Sequence, residues 1–209
     1  MELYSNMMEH RSSGADARLA ARLRGLRAER GLTLDGLAER SGVSRSMISL
    51  VERGESSPTA AVLHRLATGL GTTLATLFAE EGRSEASPVA RRADQSAWRD
   101  PETGYVRRNL SPPGFPSPIE LVEVILPPGA LVAYDGVPPS IGIGQQVWVL
   151  EGEIELTLGA ETHRLAVGDC LAMRVDRPTA FRNPNDRPAR YVVALNTDRA
   201  RTSGDETER

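Results

Sequence analysis

The sequence has few of the residues that would place it outside a reducing, aqueous compartment. Its 209 residues include one cysteine, Cys170, so the chain has no disulfide framework of its own. No apolar run approaches the roughly 18 residues that cross a bilayer, and residues 1–14 lack the apolar core of a signal peptide. We therefore expect a cytoplasmic protein without membrane contact. The sequence also has no lysine, and all 25 of its Lys and Arg positions are arginine. We attribute this mostly to a GC-rich coding bias.

Charge is unevenly distributed along the chain. Residues 11–70 carry ten arginines against six acidic residues, a net charge of +4, whereas the rest of the chain carries −7. A basic segment joined to an acidic one is typical of a small nucleic-acid-binding module attached to a domain that does not touch nucleic acid.

The basic segment contains the spacing of a helix-turn-helix within residues 34–51. Ala38 is small enough for a second helix to approach closely, and Gly42 can adopt the left-handed backbone of the turn. The apolar pair Ile48 and Val51, three residues apart, would face the core from the next helix. An ordinary helical hairpin is the alternative for any one of these positions, but their combination favours a helix-turn-helix.

The helical pattern continues on both sides of this turn. It predicts five helices, with the first at about residues 15–30 after a loose tail and the fourth at about residues 58–70. Ser57 and Pro58 would be the N-cap and first residue of the fourth helix, and Thr73 would cap a short fifth helix. We expect His64 to be a solvated residue of the fourth helix.

Residues 19–78, with the motif LRAERGLTLDGLAERSGVSRSMISLVERGESSPTAAVLHRLATGLGTTLATLF, resemble the five-helix DNA-binding domain of the XRE family of phage-repressor-like regulators. The resemblance implies sequence-specific binding of duplex DNA, as a dimer on a two-fold site. The predicted DNA-binding residues are Thr33, Ser44, Arg45, Ser46, Ser49 and Arg53. Thr33 and Ser44, at helix N-termini, match positions that contact phosphates. Arg45, Ser46 and Ser49 match base-reading positions, and solvated helix surface is the alternative for the two serines.

From about Trp98 the helical pattern gives way to alternating residues interrupted by proline and glycine. This pattern is typical of an all-β sandwich or barrel. The predicted strands are Tyr105–Leu110, Ile119–Leu126, Val147–Leu150, Ile154–Leu158, Thr162–Leu165, Cys170–Val175, Ala180–Arg182 and Tyr191–Leu195. The charged, aperiodic residues 81–97 read as a linker.

Two motifs in this part of the chain resemble the cupin superfamily: VLEGE at Val149–Glu153, and LAVGD at Leu165–Asp169 with Pro178 and Asn183 after it. The resemblance implies a double-stranded β-helix (jelly-roll) barrel, and it says little about activity because one fold hosts many functions.

The resemblance also implies where an enzymatic cupin would hold a metal. Gln145 stands where a glutamate ligand is expected, Pro139 and Ile141 stand at the two upstream histidine positions, and Thr179 stands at the last one. A metal needs three or four converging ligands, and His163 is the one histidine after residue 98. No other catalytic motif replaces this set. We therefore predict no metal, no other cofactor and no enzymatic activity.

The matched motifs place inward-facing residues at the lumen of the barrel. The predicted ligand-binding residues are Gln145, Val147, Val149, Thr179 and Phe181. Two neutral polar groups among apolar ones suit a small organic ligand, and a plugged barrel that only dimerises is the alternative. Arg174 and Arg182 are either surface residues or partners of an acidic effector. Cys170 is either a redox-sensing thiol or, as we favour, a small buried side chain.

The sequence thus predicts a two-domain protein, with an all-α helix-turn-helix domain followed by an all-β cupin barrel. The predicted boundaries are a flexible tail at 1–14, the DNA-binding domain at 15–80, the linker at 81–97, the barrel at 98–200 and a disordered tail at 201–209. The predicted function is a sequence-specific transcriptional regulator, dimeric through the barrel, that senses a small molecule. The alternatives are a metal-dependent cupin enzyme fused to the DNA-binding domain and a constitutive DNA-binding protein with a structural barrel.

Overall fold

Helices and strands occupy separate halves of the chain. The structure is a computed structural model that describes residues 2–78, 87–136 and 143–196. Its helices are α1 (Glu2–Glu29), α2 (Leu34–Ser41), α3 (Arg45–Glu52), α4 (Ala60–Gly69) and the single turn α5 (Leu74–Leu77). We call this helical part the N-terminal domain. None of the described helices combines the length and the apolar character that crossing a membrane would require.

Two helices begin at positions that differ from the prediction. α1 begins at Glu2 rather than near residue 15, in a segment that contains no proline to end a helix. α4 begins at Ala60 rather than at Pro58, because the extended Thr59 is the N-cap and its hydroxyl accepts a hydrogen bond from the Val62 amide.

The apolar faces of the helices meet in one core. Leu23 of α1, Leu37 of α2, Ile48 of α3 and Leu63 of α4 are fully buried, as the 3.6-residue period of these segments predicts. Helix α4 also packs closely on the end of α2. A Cβ atom added to Gly69 would lie 2.8 Å from Ser41 Cβ and 3.0 Å from the Ser41 backbone, so only glycine fits at this contact.

Gly69→Ala should therefore destabilise the N-terminal domain by about 1–3 kcal/mol, because the added methyl group overpacks the α2–α4 contact. Gly25→Ala is the matched control, since nothing lies within 4 Å of the added Cβ at this helical position. It should stabilise α1 by about 0.5–1 kcal/mol. Denaturant unfolding followed by circular dichroism measures both changes, and equal effects of the two substitutions would contradict the close packing.

The second half of the chain, which we call the C-terminal domain, consists of two antiparallel sheets. Its strands are β1 (Ala97–Arg99), β2 (Val106–Asn109), β3 (Ile119–Leu126), β4 (Leu131–Tyr134), β5 (Gly144–Glu151), β6 (Ile154–Leu158), β7 (Glu161–Leu165), β8 (Cys170–Arg174), β9 (Thr179–Arg182) and β10 (Ala189–Asn196). One sheet has six strands in the order β1-β2-β3-β10-β5-β8, and the other has four in the order β4-β9-β6-β7. Among the described residues, no strand of one sheet pairs with a strand of the other. Strand pairing therefore does not close the two sheets into one barrel.

All eight predicted strands are present, and the structure adds β1 and β4. Both are short, with three and four residues, so an alternating pattern has little length in which to emerge. The two sheets face each other across a buried apolar layer, in which the rings of Phe181 and Tyr191 stack with centroids 5.7 Å apart. Because the alternate residues of β10 are buried on this side, its register fixes which side chains line the space between the sheets.

Candidate functional site

The helix-turn-helix is formed by α2, α3 and the turn between them. Gly42 caps the C-terminus of α2, with a left-handed φ of 66° and an amide that donates to the Ala38 carbonyl at 2.9 Å. Ser44 begins α3 as its N-cap, with its hydroxyl accepting from the Met47 amide at 3.2 Å. With Ile48 buried on the inner face, the opposite face of α3 is left exposed.

The predicted base-reading residues lie on that exposed face. Arg45 and Ser46 are exposed and Ser49 is half-buried. Arg45 Nε lies 3.3 Å from Asp35 Oδ1, in the first turn of α2. This ion pair brings the N-terminal turn of α2, capped by Thr33, next to the N-terminal turn of α3.

Arg53 lies at the C-terminal end of the same face and is held by two neighbours. Its Nη1 donates to the Ser49 hydroxyl at 2.5 Å, while Nε and Nη2 pair with the Glu55 carboxylate at 2.8 and 2.6 Å. The residues predicted to read DNA are thus gathered on one surface. Its two exposed arginines, Arg45 and Arg53, are each paired with an acidic residue, Asp35 and Glu55 respectively.

A buried ion pair, which the sequence analysis missed, fixes the orientation of α3. Arg27 of α1 binds Glu52 through two parallel hydrogen bonds, Nε to Oε1 at 2.6 Å and Nη2 to Oε2 at 2.7 Å. Glu52 is only 6% exposed, and Arg27 also donates to the Leu32 carbonyl at 2.8 Å. The two residues are 25 positions apart, so no local pattern in the sequence indicates the pairing.

Glu52→Ala should lower the free energy of unfolding by about 3–5 kcal/mol, because it leaves the Arg27 guanidinium half-buried without its counter-ion. Glu55→Ala, which removes the exposed partner of Arg53, is the control and should leave the melting temperature close to that of the wild type. Thermal unfolding followed by the helical circular dichroism signal compares them. A comparable loss in both variants would show that the buried pair does not hold α3 in place.

The two domains are joined by polar contacts at the start and in the middle of α4. The Ala60 amide, at the first residue of α4, donates to Asp100 Oδ2 at 2.7 Å. Later in α4, His64 Nε2 donates to the Asp135 carbonyl at 2.5 Å, and its ring lies 5.1 Å from that of Tyr134. Beyond α5, Phe78 contacts the Trp98 ring at 5.5 Å. The helical domain therefore lies directly on the strands.

His64 was predicted to be solvated, and this prediction is wrong. The side chain is 7% exposed because the C-terminal domain covers that face of α4. Burial lowers the pKa of His64 below its ordinary value of 6.5, and the Asp135 carbonyl acts in the opposite direction. The imidazole is neutral at neutral pH and donates its one N–H to Asp135.

A cavity of about 80 Å³ lies at this junction. The N-terminal domain contributes its wall residues His64, Thr72, Thr73 and Leu74. The strands and the segments beside them contribute Tyr105, Arg107, Val124, Tyr134, Ile143, Gln145, Val175, Thr179, Phe181, Tyr191, Val193 and Leu195. Burial raises the pKa of Tyr134 and of Tyr191 well above the ordinary value for tyrosine, so both phenols are neutral.

Three of the five predicted ligand-binding residues line this cavity, namely Gln145, Thr179 and Phe181. Val147 and Val149 do not, although they are 0% and 1% exposed. Both lie further along β5, where the two sheets pack closely and leave no space.

The sequence left the placement of two arginines open, and it favoured a buried position for the cysteine. Arg174 and Arg182 are exposed and do not line the cavity, and Arg182 Nη1 bonds Glu155 at 2.8 Å. Cys170 is exposed on β8, an edge strand, rather than buried. The cavity arginine is instead Arg107, which the sequence analysis did not single out.

The residues at the positions of cupin metal ligands do not fit a metal ion. Gln145 and Thr179 both line the cavity but offer only neutral oxygen donors, and His163 is half-buried on β7, outside the cavity. Pro139 and Ile141 are outside the described residues. Within the described ranges no three histidine, cysteine, aspartate or glutamate side chains cluster closely enough to hold a metal.

Comparisons with known proteins match both halves of the chain. Residues 18–79 match the model of a helix-turn-helix domain, and residues 122–195 match that of a cupin domain. The chain is 28% identical over 182 residues to the HTH-type transcriptional regulator SutR of Escherichia coli K12, covering 87% of this chain and 96% of SutR. It is 27% identical to the HTH-type transcriptional regulator PuuR of the same strain, covering 83% of this chain and 91% of PuuR.

A solved structure supports the same arrangement of domains. The crystal structure of an HTH_3 family transcriptional regulator from Vibrio cholerae is 25% identical and superposes with a TM-score of 0.69, covering 88% of this chain and 98% of that one. The fold, the exposed face of α3 and these relatives together define a DNA-binding transcriptional regulator. More particularly, the chain combines an XRE-type helix-turn-helix domain with a C-terminal cupin domain.

Proposed function

We propose that this regulator is a homodimer that reads a two-fold operator through α3 and changes its affinity for DNA when a small molecule occupies the interdomain cavity. The observation that carries the proposal is the position of the cavity. Its walls come from both domains, so a ligand that favours one arrangement of these walls acts directly on the helices that support α3.

In the DNA complex, Arg45, Ser46 and Ser49 would contact base edges from the exposed face of α3. Thr33 and Ser44 would contact phosphates, since each caps a helix whose first amides point outward, and Arg53 would exchange Glu55 for a phosphate. The exposure of α3 and the net charge of +4 over residues 11–70 support this assignment.

Dimerisation through the C-terminal domain would use the outer face of the six-stranded sheet. Large apolar side chains are exposed there, with Ile119 51%, Leu121 39% and Trp148 51% exposed. Contiguous exposed apolar surface of this kind marks protein interfaces. A two-fold axis through this face would present two α3 helices to half-sites about 34 Å apart or a multiple of that distance.

For the C-terminal domain we propose ligand binding without metal catalysis, because neutral Gln145 and Thr179 stand where metal ligands are expected. We further propose that the two sheets are the halves of a jelly-roll barrel that encloses the cavity, and that α5 completes a five-helix domain. The domain boundaries at 15–80, 81–97 and 98–200 are part of the same proposal.

Arg45→Ala should weaken specific DNA binding by about 1–3 kcal/mol and relax the sequence preference at one position of each half-site, because the guanidinium reads a base edge. An operator selected from random duplex DNA provides the probe, and a gel-shift titration gives the affinity. Footprinting should then show a protected region with two-fold symmetry.

The matched control is Arg164→Ala, which removes an exposed arginine on β7 that pairs with Glu153. It should bind the operator as the wild type does. An Arg45→Ala variant with unchanged affinity and unchanged sequence preference would remove Arg45 from the set of base-reading residues.

A further inference from the structure

Arg107 brings a buried positive charge to the wall of the interdomain cavity. It lies on β2 beside Val124 of β3, and its side chain is 6% exposed. Nε and Nη2 are buried without a hydrogen-bond partner within the described part of the chain. The contact that the guanidinium does make is with the face of the Phe78 ring, whose centroid lies 5.6 Å from Cζ.

The carboxylates on the neighbouring strand do not neutralise Arg107. Glu123 is bound by Arg190 at 3.0 Å and by Arg108 at 3.5 Å. Glu120 makes no ion pair with Arg107 within the residues described, and burial raises the pKa of Glu120 while the charge of Arg107 lowers it by less. A buried cation without a counter-ion is costly, and an interaction with an aromatic face offsets only part of the cost.

Among the described residues that line the cavity, none is acidic. Its other polar groups are neutral, as in Gln145, Thr179 and the phenol of Tyr134, and its remaining surface is largely apolar, as in Ile143 and Leu195. An anion that enters this cavity therefore meets a guanidinium with two unpartnered nitrogens, and it meets no carboxylate from the described part of the wall. Guanidinium groups bind carboxylates through charge-assisted hydrogen bonds, often two in parallel.

We propose that the cavity binds a small organic carboxylate, whose charged group is held by Arg107 and whose apolar part lies against the aliphatic residues. This inference rests on the proposed ligand-binding function of the cavity and names the chemical class of the ligand. The apolar wall favours an organic anion over a strongly hydrated inorganic one, and a volume of about 80 Å³ suits a short-chain acid.

The same arginine links the ligand to the DNA-binding half of the protein. Phe78 follows α5, and its carbonyl accepts a hydrogen bond from the Asn109 side chain at 2.9 Å. A carboxylate bound by Arg107 competes with the Phe78 ring for the guanidinium, so occupancy of the cavity changes a contact that holds the two domains together.

The test compares propionate with propionamide, which has nearly the same shape but no charge. Isothermal titration calorimetry on the full chain, at ionic strength matched with sodium chloride, should show propionate binding about ten- to a hundredfold more tightly than propionamide. Arg107→Gln should remove this preference. The control is Arg108→Gln. Arg108 is the next residue on β2 and pairs with Glu123, so this variant should retain the preference for propionate over propionamide.

The two wild-type titrations decide the proposal even if Arg107→Gln fails to fold. Equal affinity for propionate and propionamide, or no binding of propionate, would overturn it, as would unchanged propionate binding by a folded Arg107→Gln variant. Binding of sulfate or phosphate in place of propionate would also overturn it, by assigning the site to inorganic anions. A neutral metabolite that binds and changes DNA affinity would preserve the proposed sensing function while excluding a carboxylate ligand.

Discussion

The arrangement of the two domains depends on the carboxylate of Asp100. This side chain is 2% exposed and accepts three backbone hydrogen bonds, from Ala60 at 2.7 Å and from Glu102 and Thr103 at 2.7 and 3.1 Å. A negative charge at the N-terminus of α4 also interacts favourably with the helix dipole. Because one carboxylate binds both a helix end and the loop after β1, it fixes the position of α4 on the sheets.

Once α4 is fixed, the other features of the junction follow. His64 meets the Asp135 carbonyl, Phe78 meets Trp98, and Thr72 to Leu74 close one side of the cavity. α3 is tied to the same assembly through α1, by the Arg27–Glu52 pair. The cavity and the exposed face of α3 are thus connected through packed helices within one chain. In the proposed function, a ligand acts on DNA binding through this connection as well as through the spacing of α3 helices in the proposed dimer.

The features that could be predicted from the sequence are those that depend on interactions between residues close together in the chain. Gly42 at a left-handed turn and Ser44 as a cap act on neighbours within a few residues, and the alternation in β3, β5 and β10 shows directly which side chains are buried. The inward positions of Gln145, Thr179 and Phe181 came instead from the resemblance to the cupin motifs, and these three residues line the cavity from strands of two facing sheets.

The features that could not be predicted from the sequence depend on contacts between segments that are far apart in the chain. Asp100 and Ala60 are 40 residues apart, and His64 and Asp135 are 71 apart. The apolar period of α4 identifies the face that packs on other helices, but it does not identify the face that a second domain covers. His64 lies on that second face, and for this reason it was wrongly predicted to be solvated. Arg107 was missed for the same reason, because only the docked helices turn a strand arginine into a buried one. One available signal was the adjacent pair Arg107-Arg108, since alternation in a strand must place one of the two on the inner face.

Asp100 thus holds the helical domain against the strands that line the cavity. Hydrogen exchange of the full chain, followed by mass spectrometry, tests this role by comparing the wild type with Asp100→Ala. We expect faster amide exchange in the variant both in α4 and in β4, which are joined through His64, Tyr134 and Asp135. Faster exchange confined to residues 100–104, with α4 and β4 protected as in the wild type, would contradict it.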